Sequence, residues 1–331
     1  MNLKQVFATK NALFGVCTDL EPDDIAALHV LAPLLRQQQQ QLYCCVGEGN
    51  LSKVGLMKAV LAELQIHGAT VIDSGASKKT YPTALIQAYS VAPAATTADP
   101  VQAAACIEAL ASGFENHVML VFKPPRELLH LSASLLAKTT VCAYGSFNFR
   151  ALGGAGMARF AELANGVIAH TVVYESFFVT GSENSLTTTT APEFFAHART
   201  HAPRLLDAIE AWNAHIAIDR LEAIRELSAQ MIVDFRAKNW SALQRATVAR
   251  GRAAKVVENI VAAEGVQMVL ADVGLAALLV SDVNVPVRRG RIAFDDASTF
   301  TQIIDDPNGR VAFVDKVPLR AITSRLLEEK V

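Results

Sequence analysis

Residues 13–28 read Leu13-Phe14-Gly15-Val16-Cys17-Thr18-Asp19-Leu20-Glu21-Pro22-Asp23-Asp24-Ile25-Ala26-Ala27-Leu28. The run Leu13 to Cys17 is short and apolar, as a buried strand is. The residues from Asp23 to about Gln40 carry apolar positions at helical spacing. A strand that passes through a short turn into a helix opens a βα unit. The turn is acidic: Asp19, Glu21, Asp23 and Asp24 fall within six positions. One acid at a helix N-terminus is favoured by roughly 0.3–1 kcal/mol. Further acids in the same turn repel one another unless a cation or strong donors lie among them. Clustered carboxylates without soft ligands suit a hard cation, Ca²⁺ or Mg²⁺.

The same alternation continues outward. Leu42 to Val46 reads as a strand, Ser52 to Ile66 as a helix, and Thr70 to Asp73 as a strand. A helix is expected over Pro100 to Ser112, with Asp99 as N-cap and Pro100 at the first helical position. His117 to Phe122 and Thr140 to Tyr144 read as strands, with a helix over Glu127 to Ala137 between them. An apolar run over Val167 to Val179 contains His170 to Tyr174. Strands are expected near Val285 to Phe294 and over Arg310 to Val314, with a helix over Val273 to Val280 before them. This pattern predicts an α/β fold: a mainly parallel central sheet with helices on both faces. Ligands of such sheets sit at the carboxyl ends of the strands. From Ala191 to Ala263 the chain is rich in Ala, Leu, Glu and Arg and carries Trp212 and Trp240, which reads as a helical insertion. The expected organisation is a single domain over 1–331 with that insertion at about 191–263.

Bulk properties narrow the class. The chain has 331 residues, 51% of them hydrophobic and 19% charged, enough for a large α/β core. Its net charge of −2 is spread along the chain, without a basic stripe for nucleic acid or a polybasic membrane patch. No apolar stretch reaches about 18 residues, so no transmembrane helix is expected. The N-terminal residues show no secretory signal pattern. Cys17, Cys44, Cys45, Cys106 and Cys142 are odd in number and irregular in spacing. They read as buried thiols in a reducing, cytoplasmic setting, with neither the spacing of a disulfide framework nor that of a zinc site.

The segment Cys17-Thr18-Asp19-Leu20-Glu21-Pro22-Asp23-Asp24-Ile25-Ala26-Ala27-Leu28 resembles the DTDPGxDDAxAL motif of nucleoside hydrolases. Cys17 stands in place of the family's first aspartate and Glu21 in place of its glycine. Further segments resemble the family in the same order. Gly49-Asn50 is similar to its GN pair, and Gly75-Ala76 to its glycine turn. Lys123-Pro124-Pro125-Arg126-Glu127 stands where the family has GPLTN. Tyr144 to Phe149 is similar to the segment ending in EFN, with Ser146 for the usual glutamate. Ala271-Asp272-Val273-Gly274-Leu275-Ala276 is similar to HDPLAVA, with Ala271 for the histidine.

The resemblance implies a divergent, calcium-dependent N-ribosyl hydrolase of the inosine-uridine preferring kind, placed in purine or pyrimidine salvage. In this reading Asp19 is general base and metal ligand. Asp24, Asp272 and the backbone carbonyl of Arg126 complete the protein's share of the Ca²⁺ shell. Asp23, Asn50 and Asn148 orient the ribose. The implied partner is a small-molecule riboside, with no nucleic acid and no membrane, and the family prior is a homodimer or homotetramer. Ala271 offers no proton to the leaving base; Tyr81, Arg126, Lys123 or the helical insertion are the substitutes to weigh. His130 and His170 read as structural. Glu175 or Glu183 stand as replacements for the glutamate absent at Ser146. Ser146 and Arg126 together favour a phosphate-bearing or unusual substrate over plain inosine.

Two other readings stand beside this one. The fold can retain a ribose pocket without turnover, giving a catalytically impaired hydrolase-like protein that binds a ribose-containing ligand. A phosphatase with an N-terminal Asp nucleophile would need DxDx[TV] after the first strand, which Asp19-Leu20-Glu21 does not supply. A dinucleotide-binding Rossmann enzyme would need GxGxxG there, and an acidic turn opposes a pyrophosphate.

Overall fold

The structure is a computed structural model and describes residues 3–75, 77, 81–145, 149, 151–174, 185–187, 192–212, 267–269, 271–282, 284–294 and 301–314. The chain divides into two compact units. One comprises Met1–Tyr81, Tyr89–Phe177 and Ala271–Val317; the other comprises Pro82–Ala88, Phe178–Leu270 and Pro318–Val331.

The first unit is a mainly parallel α/β sheet flanked by helices. In chain order it runs β1 (Ala12–Thr18), α1 (Pro22–Gln37), β2 (Leu42–Val46), α2 (Val54–Glu63) and β3 (Thr70–Asp73). After α3 (Thr83–Ala88), which belongs to the second unit, come α4 (Pro100–Ala111), β4 (Asn116–Val121), α5 (Ala133–Leu136), β5 (Thr139–Tyr144), α6 (Gly153–Gly166) and β6 (His170–Tyr174). The second unit contains β7 (Ser185–Thr187), α7 (Pro192–His201) and β8 (Gln267–Val269). The chain then returns to the first unit with α8 (Ala271–Val280), β9 (Val287–Phe294), β10 (Thr301–Asp305) and β11 (Val311–Val314).

The sheet order is β10-β9-β11-β6-β5-β4-β1-β2-β3. Pairs from β3 through β6 to β11 are parallel, while β9 is antiparallel to both β11 and β10. The chain first winds from β1 toward β3 and then restarts at β4 on the other side of β1. The carboxyl ends of β1 and β4 therefore flank the point where winding reverses, the crevice in which open α/β sheets bind ligands.

Every residue of β1 and β2 is buried, as the centre of a two-sided parallel sheet requires. Leu13, Cys17, Met119, Val121 and Phe149 join the core on the face covered by α4, α5 and α6. Phe14, alternate to Leu13 in β1, stacks on Phe7 on the opposite face, and α8 packs there on α1 and the N-terminal 3-10 helix Leu3–Ala8. Gly15 is required by its neighbour: a Cβ there would lie 2.2 Å from the Tyr43 ring. That ring crosses β1 so that its hydroxyl meets His117 Nε2 at 2.8 Å, while His117 Nδ1 meets Thr139 Oγ1 at 3.0 Å.

Several expected elements lie elsewhere than the sequence placed them. The helix expected over Glu127 to Ala137 is broken into the 3-10 turn Glu127–His130 and α5, because Leu131 is extended and Ser132 caps a new start by accepting from the Leu135 amide. The sequence reading contained neither β10 nor α6; α6 opens on Leu152 without a side-chain cap and with glycines at its first positions, so no start signal marks it. Within the region expected as an insertion, α7 and residues 203–212 are helical; 213–266 lie outside the described residues. All five cysteines are free thiols, and four are buried as expected; Cys106 on α4 is exposed.

Candidate metal centre at the switch point

The turn after β1 is shaped by its own side chains. Leu20 adopts φ +53, a left-handed conformation that a leucine enters only when neighbours hold it. The Leu20 amide donates to Thr18 Oγ1 at 2.9 Å, and the Thr18 hydroxyl donates to Asp24 Oδ1 at 2.6 Å. Asp24 Oδ2 accepts the Glu21 amide at 3.0 Å, half of a reciprocal capping box in which Glu21 is the N-cap of α1. These bonds direct Asp19, Asp23 and Asp24 to the start of α1, with Asp24 fully buried and Asp19 nearly so.

Asp272 arrives from the other end of the chain. It lies in the first turn of α8, which packs against α1. Carboxyl oxygens of Asp23, Asp24 and Asp272 all lie within 4.8 Å of one another. The Asp19 carboxyl group lies beside that of Asp24, and the Asp23 carboxyl group beside that of Asp272. Burial pushes the Asp24 carboxyl well above the usual carboxylate range, and Asp19 and Asp23 push it further. Burial does the same to Asp272, with Asp24, Asp23 and Asp19 adding to the effect. Two α-helix N-termini face this cluster, but a helix end carries only about half a unit of positive charge.

Asp272 Oδ1 is buried without a hydrogen-bond partner among the described residues. A buried unpaired carboxylate oxygen costs several kcal/mol unless a cation or donor reaches it. The donor set is all oxygen and all carboxylate, which fits a hard divalent cation. Asp24 already accepts two hydrogen bonds, yet each of its oxygens keeps a second lone pair. The residues present therefore fit a bound divalent ion.

The other expected site residues have different partners. The Arg126 carbonyl accepts the Leu129 amide at 3.2 Å, as the cap of the 3-10 turn after β4. Its guanidinium, one-third exposed, donates from Nε to Glu48 at 2.5 Å and from Nη2 to the Ala151 carbonyl at 2.6 Å. Asn50 is exposed and its Oδ1 accepts the Tyr81 amide at 3.0 Å. Asn148, Ser146, Glu175 and Glu183 lie outside the described residues. His130 and His170 are exposed. Of the substitutes weighed for a leaving-group acid, Tyr81 donates its hydroxyl to the Leu20 carbonyl, and Lys123 pairs with Glu127 at 2.6 Å with both side chains buried. Burial works against the Lys123 charge, but Glu127, with Cys45 and Cys17 behind it, holds the ammonium above lysine's ordinary value. Cys17, Cys45 and Glu127 also bring ligand atoms within 4.8 Å of one another, but Lys123 already supplies the cation there.

Sequence reading overlooked Lys53. Its side chain is buried, donates to the Asp19 carbonyl at 2.5 Å and to the Gly47 carbonyl at 2.9 Å, and lies 3.9 Å from the centre of the Tyr81 ring. Burial lowers its pKa to about 8, while Asp19, Asp24 and Glu48 oppose that fall. The available signal was a lysine directly before the mostly apolar segment Val54 to Leu61, which also carries Lys58.

No protein-family model and no curated protein matches the chain. Among solved structures it is similar to the inosine-uridine preferring nucleoside hydrolase from Bacillus anthracis, at 13% identity over 96% of this chain and 99% of that one, with a TM-score of 0.38. Neither figure reaches a level that speaks to activity. No described helix is long and apolar enough to cross a membrane.

Proposed function

We propose that this protein hydrolyses the N-glycosidic bond of a ribonucleoside or related riboside, with Ca²⁺ as cofactor and Asp19 as general base. The observation that carries the reading is the convergence of Asp23, Asp24 and Asp272, one of whose buried oxygens has no partner. Asp24 and Asp272 would hold the ion, with Asp19 beside them. When bound, Ca²⁺ lowers the pKa of its water and accepts the 6–8 oxygen ligands that three carboxylates alone do not fill. A vicinal diol such as that of ribose would bring two more oxygens, and Asp23 would accept a hydrogen bond from one of its hydroxyls.

Asp19 takes a proton from the attacking water, whose oxygen bonds to the anomeric carbon as the carbon–nitrogen bond breaks. The electron pair leaves with the base nitrogen, which must then be protonated. General-base roles of this kind contribute about 10²–10⁴-fold. Holding the sugar against fixed carboxylates lowers the barrier further. Ala271, at the first position of α8, has no proton to give the leaving base. That favours a second reading, in which the pocket binds a ribose-containing ligand without turning it over.

Ribose release from a panel of nucleosides and nucleoside monophosphates, with Ca²⁺ or with a chelator, separates the two. Release that needs Ca²⁺ and is lost in Asp19→Asn supports hydrolysis. Ca²⁺-dependent binding of ribosides without release supports the second reading. Absence of both overturns the site's assignment.

A further inference from the structure

We infer that Lys53 and Tyr81 are positioning residues that aim the Asp19 carboxylate by holding the two carbonyls on either side of Leu20. This rests on the reading of Asp19 as a residue of the cation site. The Lys53 ammonium takes the Asp19 carbonyl at 2.5 Å, and the Tyr81 hydroxyl takes the next carbonyl, that of Leu20. Between them Leu20 sits at φ +53. A non-glycine residue there is strained and persists only where surrounding contacts over-determine it. The two donors are such contacts, and they act on successive peptide planes. With both carbonyls turned toward Lys53 and Tyr81, the side chains of this turn gather with Asp24 and Asp272.

The clamp is itself braced. Lys53 also holds the Gly47 carbonyl at the end of β2, and its ammonium lies against the Tyr81 ring. The Tyr81 amide is fixed by Asn50 Oδ1. The turn after β1 is thus tied to the turn after β2 through buried side chains, across the β1–β2 pair whose register ends at Thr18 and Val46. Lys53 acts on main-chain carbonyls and Asn50 on the Tyr81 amide, so both work through other residues.

Charge and positioning make opposite forecasts for Lys53. Were the ammonium only a counter-charge near Asp19 and Asp24, removing it would deepen the negative potential and tighten cation binding. Loss of a clamp instead lets Leu20 relax and spreads the carboxylates, which weakens binding. Tyr81→Phe removes one donor and no charge, so it isolates positioning.

The test is calorimetric titration of the full chain with Ca²⁺ alone, for wild type, Lys53→Met and Tyr81→Phe, with folding checked by circular dichroism. The expected result is one Ca²⁺ per wild-type chain and affinity about tenfold or more weaker in both variants. In turnover assays at saturating Ca²⁺, kcat falls in both variants while KM changes little. Wild-type or tighter affinity in Lys53→Met, together with wild-type affinity in Tyr81→Phe, overturns the inference. So does a wild-type chain that takes up no Ca²⁺. If Lys53→Met does not fold, Tyr81→Phe decides alone. If wild type binds Ca²⁺ but releases no ribose, the hydrolase reading fails while the clamp is judged on the affinities.

Discussion

Asp24 in the first turn of α1 and Asp272 in the first turn of α8 present carboxyl oxygens within 4.8 Å of each other, although they come from opposite ends of the sequence. Both are buried, and burial with mutual repulsion drives both toward the protonated form. A site built this way is poorly served by the protein's own groups. A cation bound there would offset that repulsion, and its binding energy would then be linked to folding energy.

Asp272→Asn removes the unpartnered oxygen's charge. In a chelator the variant is expected to melt at or above the wild-type temperature, because a buried repulsion is relieved. Wild type is expected to gain stability from Ca²⁺, about 2.7 kcal/mol at a hundredfold excess over Kd, and the variant is expected to lose most of that gain. Thermal melts with and without Ca²⁺ check both halves. A variant that gains as much as wild type removes Asp272 from the site.

Asp19→Asn is expected to keep the shape of the turn, since Lys53 donates to the Asp19 backbone carbonyl. Folding is expected to be unchanged. Ribose release is expected to fall by about 10²–10⁴-fold, the range of a general base. Comparable rates for the two proteins would take the base role from Asp19.

The buried Lys123–Glu127 pair predicts a stability effect away from the chemistry. Glu127→Ala leaves an ammonium buried without its carboxylate and is expected to cost about 3–5 kcal/mol. The double change Lys123→Met, Glu127→Leu removes both charges and is expected to recover most of that. Urea unfolding of the three proteins measures it, and a single variant as stable as wild type refutes it.

Acid is expected to destabilise the first unit through His117. Burial, with Lys138 nearby, pushes its pKa down to about 3, so the folded protein keeps the ring neutral. The unfolded chain binds a proton below its ordinary value of about 6.5, so stability is full above that and falls as pH drops toward 3. Between pH 7 and 5 the loss from this group is about 2 kcal/mol. His29, lowered by burial to about 4, adds to it in the same direction. Urea unfolding at the two pH values should show a smaller difference in His117→Gln than in wild type.

The elements easiest to read in the sequence were those whose pattern is local. β2 and β3 fall where their apolar runs place them, and Asp99 caps α4 by accepting from the Val101 and Gln102 amides. Burial on both faces made β2 a continuous apolar run, β3 keeps the apolar pair Val71 and Ile72 at the sheet edge, and capping needs only neighbouring residues. β10 was not legible because Thr301–Asp305 is half polar and gains its strand form by pairing with β9. The break at Ser132 was hidden because a serine inside an apolar helical pattern reads equally as an exposed helix position.

By itself, the sequence determined the alternating α/β order and the acidic turn after β1, because each depends on residues a few positions apart. Only the tertiary structure decided that winding reverses beside β1, that Asp272 meets Asp23 and Asp24, and that Lys53 and Tyr81 hold the backbone under Asp19. Those relationships are set by strand order and by the packing of α8 on α1, which bring together groups that no local spacing connects.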